Sequence, residues 1–461
     1  MLKKYIGDKA FYKFVLAIAV PIMLQNGITN FVNMLDNIMV GNIGTAEMTG
    51  VSVSNQLIFV FNLCLFGAVS GAGIFGAQYY GKNDQKGLRY SLRFKLILCL
   101  VLTAVCIALF LTVGDDLIRA YLRGESENVD PAVAFSSAEK YMYVMLIGFV
   151  PFALTQSYAS TLRETGETVL PMKAGMIAVS VNLVFNYILI FGKFGAPRLD
   201  AVGAAIATVL SRFVEAAIVI IWTHTHKSKN PYIAGLFKNF SIPVPLAVNM
   251  LKKATPLILN ETLWASGVAM VNQCYSELGV EVVAANNISQ TFWNLFSVVF
   301  LATGNAIGII IGNMLGAGKL DEVRDTDRKL IAFSVMTSVF MGAAYALCSP
   351  FIPNLYKTEE SVRTIATGIM LVSALMMPFD SLAHASYFTL RSGGKSLITF
   401  VFDCGFMWCV SVPLAFCLSR FSDLSIIPVY VIVQVVYIIK GVIGVYLVRK
   451  GSWIKNIVGD S

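Results

Sequence analysis

The sequence predicts an all-α polytopic membrane protein, with twelve transmembrane helices in two pseudo-symmetric six-helix bundles. Three observations predict it. Of 461 residues, 56% are hydrophobic and only 13% charged, and the mean hydropathy is +0.70; a soluble domain carries roughly 25% charge. Twelve apolar runs follow one another, each near the ~20 residues a helix needs to cross the hydrocarbon core. Lysines and arginines also fall unequally on alternate loops. This composition excludes a secreted disulfide scaffold, a nucleic-acid binder and a cytosolic enzyme. The net charge of +8 reflects basic inner loops rather than an acidic partner.

The runs give spans at 14–40, 51–80, 92–113, 139–161, 168–192 and 202–223, then 250–275, 283–313, 330–350, 362–389, 396–419 and 425–448. The first follows the basic start MLKKYIGDKAFYK and continues without a cleavage site, so it reads as an uncleaved span. Twenty-four basic residues fall on the loops of one side, from Lys3 and Lys4 to Lys455, and include Lys82, Lys86, Arg89, Arg93 and Lys95. Eight fall on the other, from Arg119 to Arg420. The asymmetry places both termini in the cytoplasm of a multi-pass protein of the plasma (cytoplasmic) membrane. The long basic segment 226–249, with Pro231, Pro243 and Pro245, links an N-lobe at 1–225 to a C-lobe at 250–461. The eight cysteines lie in or beside apolar runs without metal spacing and read as buried small apolar side chains.

The two halves resemble each other. Residues 19–26 (AVPIMLQN) match 254–261 (ATPLILNE) at an offset of 235. Gly44 matches Gly279, and 81–84 (GKND) match 316–319 (GAGK), at the same offset. Late in each half, 151–152 (PF), 162–163 (LR) and Gly166 match 378–379 (PF), 390–391 (LR) and Gly394. Shared Pro, Gly and Arg at near-constant offset exceed what two apolar runs share by chance. With six spans per half the repeats are parallel, an arrangement transporters use to place a substrate path between two bundles.

Polar residues at membrane depth locate candidate sites, because lipid-facing helices exclude them. Span 1 turns polar at Gln25, Asn26, Thr29, Asn30, Asn33, Asp36 and Asn37; span 7 carries Asn260, Glu261, Thr262, Asn272 and Gln273. Pro21 and Pro256 sit inside these two spans as hinges, each removing a backbone bond. Asp36 can exchange a proton or bind Na⁺ with help from amide oxygens; Asn33 lies one turn before it, and Asn182 and Asn186 lie one turn apart at similar depth. The competing reading is a structural polar contact near the outer interface. Glu261, Asn260, Gln25, Asn26 and Asp380 are candidates for the substrate cavity. Asp380 and Asp403 could instead pair with Arg391 or Lys395, and Arg212 with Glu215 reads as one neutralising pair. Lys440 snorkels or faces the cavity, and His384 packs. No GxxxxGK[ST] occurs. No cofactor is expected, and energy comes from an ion gradient or a partner.

The chain resembles the multidrug and toxin extrusion (MATE) transporters, bacterial type, across essentially its full length. The resemblance rests on AVPIMLQNGITNFVNMLDNIMVGNIG, GAVSGAGIFGAQYYGKND, VNLVFNYILIFGKFGAPRLDAVGAAIATVLSR, ATPLILNETLW, LRSGGKS and FDCGFMWCVSVPLAF. It implies two six-helix lobes and a secondary active antiporter that exports organic, often cationic, compounds in exchange for Na⁺ or H⁺ by alternating access. It also implies no enzyme activity, a functional monomer in the lipid bilayer and no nucleic-acid partner. Asp36 looks like the family's acidic residue in the N-lobe cation site, and Glu261 like the acidic residue of span 7 in many bacterial members. Asn182 and Asn186 fall where relatives carry Asn with Asn or Asp; with Asn in the second place, Na⁺ and H⁺ coupling both stay open. Two alternatives are a lipid-linked precursor flippase of the same superfamily and a major-facilitator transporter. The flippase would favour a strongly cationic cavity. The G-x-x-x-D-R-x-G-R pattern of the major-facilitator class is poorly imitated by Gly81, Asp84, Lys86, Gly87 and Arg89.

Overall fold

A computed structural model describes residues 4–41, 43–122, 130–356 and 358–459, and of 32–34, 36–38 and 41 the backbone alone. Among the described residues the chain is helical, without a strand. The first half comprises α1 (Lys9–Gly41), α2 (Thr45–Gly81), α3 (Gln85–Leu122), α4 (Pro131–Ile147), α5 (Phe149–Glu164), α6 (Val169–Phe191) and α7 (Asp200–Thr225). The second comprises α8 (Val244–Ser276), α9 (Val280–Gly316), α10 (Leu320–Cys348), α11 (Glu360–Ser392), α12 (Ser396–Phe421) and α13 (Ile426–Lys450).

Ten helices are long and apolar enough to cross a membrane, and α4 with α5 passes as one span bent by 48°. Pro151 explains that break. It carries no amide hydrogen, and its ring crowds the carbonyl of Ile147 one turn back. The expected seventh span lies in α8, 33 residues long. This helix is the exception to the apolar rule: Lys252, Lys253, Asn260, Glu261, Asn272 and Gln273 dilute it. In α12 the backbone widens to π-helix over Val401–Gly405 and again over Met407–Ser411. Pro413 follows and cannot donate to the carbonyl of Cys409, which removes one α-helical bond from this stretch.

The repeat is visible in the elements. Helices α1 and α8 each have 33 residues, and α2 and α9 each have 37. The starts in each pair, Lys9 with Val244 and Thr45 with Val280, stand 235 residues apart. The ends of α2 and α9 cross reciprocally. A Cβ on Gly81 would strike the backbone of Asn313, and a Cβ on Gly316 would strike the backbone of Gln78. At the repeat offset Gly81 corresponds to Gly316 and Gln78 to Asn313, so each contact is the other with the halves exchanged. Such an exchange is the mark of a local twofold axis. Two glycines allow the backbones this approach.

The chain packs as two compact units whose division cuts α1, α2 and α8 as well as the loop before α3. One contains Met1–Met23, Ala77–Asp84 and Thr255–Ser461; the other contains Leu24–Gly76 and Gln85–Ala254. In the first, Val15, Ile18, Ala19 and Ile22 of α1 share a core with Ala302, Ala306 and Ile310 of α9. In the second, Gly71 of α2 lies against Ala254 of α8, close enough that a Cβ would overlap its main chain. Segment 226–249 is tied to α3 there. Arg93 donates to the carbonyls of Leu236 (2.9 Å), Ser241 (3.1 Å) and Gly235 (2.6 Å), and Arg89 to that of Tyr232 (2.9 Å).

Among the described residues the cysteines form no disulfide, and five depart from the expected burial, Cys64 and Cys106 being half-buried. Cys99, Cys274 and Cys404 are buried, whereas Cys348, Cys409 and Cys417 are exposed on apolar helices. For a small apolar side chain, a helix surface within lipid is as suitable as a core.

Candidate functional site

The unit built from Thr255–Ser461 carries a polar chain across α8, α11, α12 and α13. Asn260 and Glu261 are adjacent in α8 and one turn beyond Pro256. The Tyr387 hydroxyl of α11 donates to Glu261 Oε1 at 2.9 Å. Asn260 Nδ2 donates to Asp403 Oδ2 at 2.9 Å and to the Tyr387 hydroxyl at 3.4 Å. Asp403 Oδ1 then accepts from Lys440 Nζ of α13 at 2.6 Å. Asp380 is partly buried within electrostatic reach of Lys440. Arg391 lies within reach of Glu261, with its guanidinium 4.7 Å from the centre of the Phe388 ring. His384 packs among aromatic rings: Phe388 (5.1 Å), Phe300 (5.8 Å) and Tyr387 (6.1 Å). Asp403 thus pairs with Lys440 rather than with Arg391 or Lys395. The ring of Phe388 holds Arg391, while α13 brings an ammonium to the widened stretch of α12.

The unit built around Leu24–Gly76 and Gln85–Ala254 holds a smaller chain. Asn182 and Asn186 are buried in α6, and their spacing of four stacks them on one face. Asn186 Nδ2 donates to Asn182 Oδ1 at 3.2 Å, and Asn182 Nδ2 to Thr208 Oγ1 of α7 at 3.2 Å. The pair is therefore a built polar contact on α6 and α7, with amide dipoles where the membrane offers no water. Gln25 accepts from Arg163 Nη2 at 2.8 Å and borders Gly175 of α6. Asn26 is half-buried beside it on α1. Asn33 and Asp36 lie on the α1 backbone, and their side chains are outside the described residues. Pro21 and Pro256 sit inside continuous α1 and α8, so each helix tolerates the missing bond.

One ion pair was not legible. Lys95 of α3, which reads from the sequence as an inner-surface cation, is fully buried. It donates to Glu164 Oε1 (2.6 Å) and Oε2 (2.7 Å), Ser160 Oγ (2.9 Å) and Thr161 Oγ1 (3.0 Å). Gly73 and Gly76 of α2 make the room, since a Cβ on either would run into the Glu164 carboxylate. The glycine spacing in α2 was the one local trace of it. The expected Arg212–Glu215 pair makes no contact ion pair among the described residues, although the two groups stay within electrostatic reach of each other. Arg212 lies 4.7 Å from the Phe152 ring centre and donates to the Gly148 carbonyl at 3.4 Å, at the break between α4 and α5.

Comparison with known proteins bears on the whole chain. The MatE family model matches residues 21–188 and 256–417, one segment in each half. A probable multidrug resistance protein NorM of Thermotoga maritima is 24% identical over 455 residues, covering 97% of this chain and 94% of that protein. A multidrug resistance protein MdtK of Edwardsiella ictaluri is 24% identical over 432 residues, covering 89% and 88%. Among solved structures, a MATE protein in complex with MaL6 superposes with a TM-score of 0.86 at 18% identity, covering 98% of both chains. A MOP superfamily transporter from Pyrococcus furiosus gives 0.84 at 18% identity, covering 98% and 97%. The helical architecture is theirs, and the matched segments carry the repeat. The chain is a multi-pass membrane protein and belongs to the MatE family, as its resemblance to the MATE transporters implied.

Proposed function

We propose that the protein is a secondary active multidrug efflux antiporter of the cytoplasmic membrane. It exports organic, often cationic, compounds in exchange for Na⁺ or H⁺ by alternating access. The observation that carries this reading is the polar chain Glu261–Tyr387–Asn260–Asp403–Lys440. Ionisable groups are costly at membrane depth and are kept there for transport. The relatives' names, multidrug resistance proteins, support the same class.

In this reading Asp36 takes the coupling ion, helped by Asn33, Asn182 and Asn186, and no cofactor is needed. Glu261, Asn260, Gln25, Asn26 and Asp380 face the substrate path. Loading of Asp36 bends α1 at Pro21, with Pro256 as its counterpart in α8, and the drug is released. The lobes 1–225 and 250–461 act as the two bundles, joined by 226–249. Both termini are cytoplasmic, and one chain suffices.

The test is dye movement in membrane vesicles under separately imposed Na⁺ and H⁺ gradients. One gradient is expected to drive ethidium transport, and Asp36→Asn to reduce the driven rate to the passive leak. Undiminished gradient-driven transport by Asp36→Asn would remove Asp36 from the mechanism. Transport under neither gradient would remove the antiport reading.

A further inference from the structure

The two buried lysine–carboxylate pairs are built differently. Lys95 is saturated: both Glu164 oxygens and two hydroxyls surround its ammonium. Lys440 meets one carboxylate oxygen, Asp403 Oδ1, at 2.6 Å. Three aromatic rings surround it, with centres of Tyr437 at 5.4 Å, Phe402 at 5.6 Å and Phe406 at 5.9 Å, and Asp380 lies within electrostatic reach without an ion-pair contact among the described residues. The π-helical turn of α12 supplies Phe402 and Asp403, and Phe406 follows directly after it. A carboxylate with aromatic faces is the recognition chemistry of alkylammonium ions. A small inorganic cation prefers a shell of oxygens. Lys440 is seated as such a ligand would be, on its own four-carbon tether.

The cage also has unused capacity. Asn260 is 1% exposed; its Nδ2 binds Asp403, and its Oδ1 accepts no hydrogen bond. A buried amide oxygen in that state awaits a donor. The Asp403 side chain keeps 16% exposure, against 7% for Lys440. The carboxylate can therefore be approached from outside while the resident ammonium is covered.

We propose that this cage is an alkylammonium-binding site whose resident, exchangeable occupant is Lys440. The ammonium group of a substrate displaces Lys440 from Asp403 and donates to Asn260 Oδ1; the return of Lys440 ejects the substrate. The proposal rests on the export of organic cations proposed above, and locates where the second half takes their charged group. Lys440 is a specificity-determining residue that competes with the substrate it helps to release.

The test uses the purified full-length protein with Lys440→Ala, which leaves a cavity the length of the lost side chain. n-Butylammonium chloride is expected to raise the unfolding temperature of this variant. NaCl at equal ionic strength is expected not to, and the wild type to respond to n-butylammonium more weakly than the variant, because Lys440 competes for the same carboxylate. Adding Asp403→Asn to Lys440→Ala should abolish the response. A response to NaCl equal to that to n-butylammonium, or no response to either, would overturn the site. If Lys440→Ala does not fold, Lys440→Gln in vesicles decides: KM for a fluorescent primary alkylammonium, dansylcadaverine, falls about tenfold, with kcat falling too, because nothing ejects the bound cation. A fall in kcat at unchanged KM would mark Lys440 as a strut and overturn the proposal. The thermal assay needs no transport. If the wild type moves no organic cation yet n-butylammonium still rescues, the antiport reading fails and the cage stands.

Discussion

Lys95→Met is expected to destabilise the protein by about 3–5 kcal/mol. The side chain it removes is 0% exposed, and the Glu164 left behind is 8% exposed. The buried carboxylate would then face apolar α2 without its ammonium partner, keeping the Ser160 hydroxyl at 2.7 Å. Thermal or SDS-induced unfolding in detergent measures the loss. The double variant Lys95→Met with Glu164→Leu should recover most of it, because well-packed apolar residues can replace a buried ion pair at little or no cost. A single variant within about 1 kcal/mol of wild type would mean that water reaches the site. The pair would then be no structural tie between α3 and α5.

Gly81→Val and Gly316→Val are expected to have nearly equal and comparably large effects, about 3 kcal/mol each. At Gly81 an added Cβ lies 2.7 Å from the Asn313 carbonyl carbon; at Gly316 it lies 2.6 Å from the Gln78 Cα. Both obstacles are main chain, which cannot rotate aside as a side chain can. The helices must separate. Separation also strains Gln78, which donates to the carbonyls of Ser392 (3.0 Å) and Lys455 (3.2 Å) and accepts from the Ile457 amide (2.8 Å). Gly27→Ala is the control: nothing lies within 4 Å of the added methyl, and alanine favours the helix. The same unfolding assay compares the three. A strong effect at one crossing glycine and none at the other would contradict the reciprocal geometry.

The offset of 235 was readable because Pro21 with Pro256 and Gly81 with Gly316 are residue types that constrain the backbone locally. The equal lengths of α1 with α8 and of α2 with α9 follow that offset. Apolar runs located the spans for the same reason, since hydrophobic length is a local property. Partner choice is not local. Lys95 reads as a surface cation until α5 brings Glu164 from 69 residues away. Asp403 is closer in sequence to Arg391 and Lys395 than to Lys440, but helix rotation faces it towards α13. The widening of α12 has only Pro413 to announce it. Asn182 and Asn186 were legible as a pair from their spacing, but their continuation to Thr208 depends on how α7 packs.

The division of the chain also bears on mechanics. It passes between the compact units at Met23–Leu24, Gly76–Ala77, Asp84–Gln85 and Ala254–Thr255. Three of these passages lie inside helices. A continuous helix is a stiff rod and has no slack to take up a rotation. Two passages come within two residues of Pro21 and Pro256, where a missing amide softens the rod. The third falls at Gly76, against the Glu164 carboxylate that Lys95 grips. Flexure within α1 and α8 is thereby favoured at Pro21 and Pro256, two matching places of the repeat, whereas the α2 backbone at Gly76 is hemmed in by the Glu164 carboxylate.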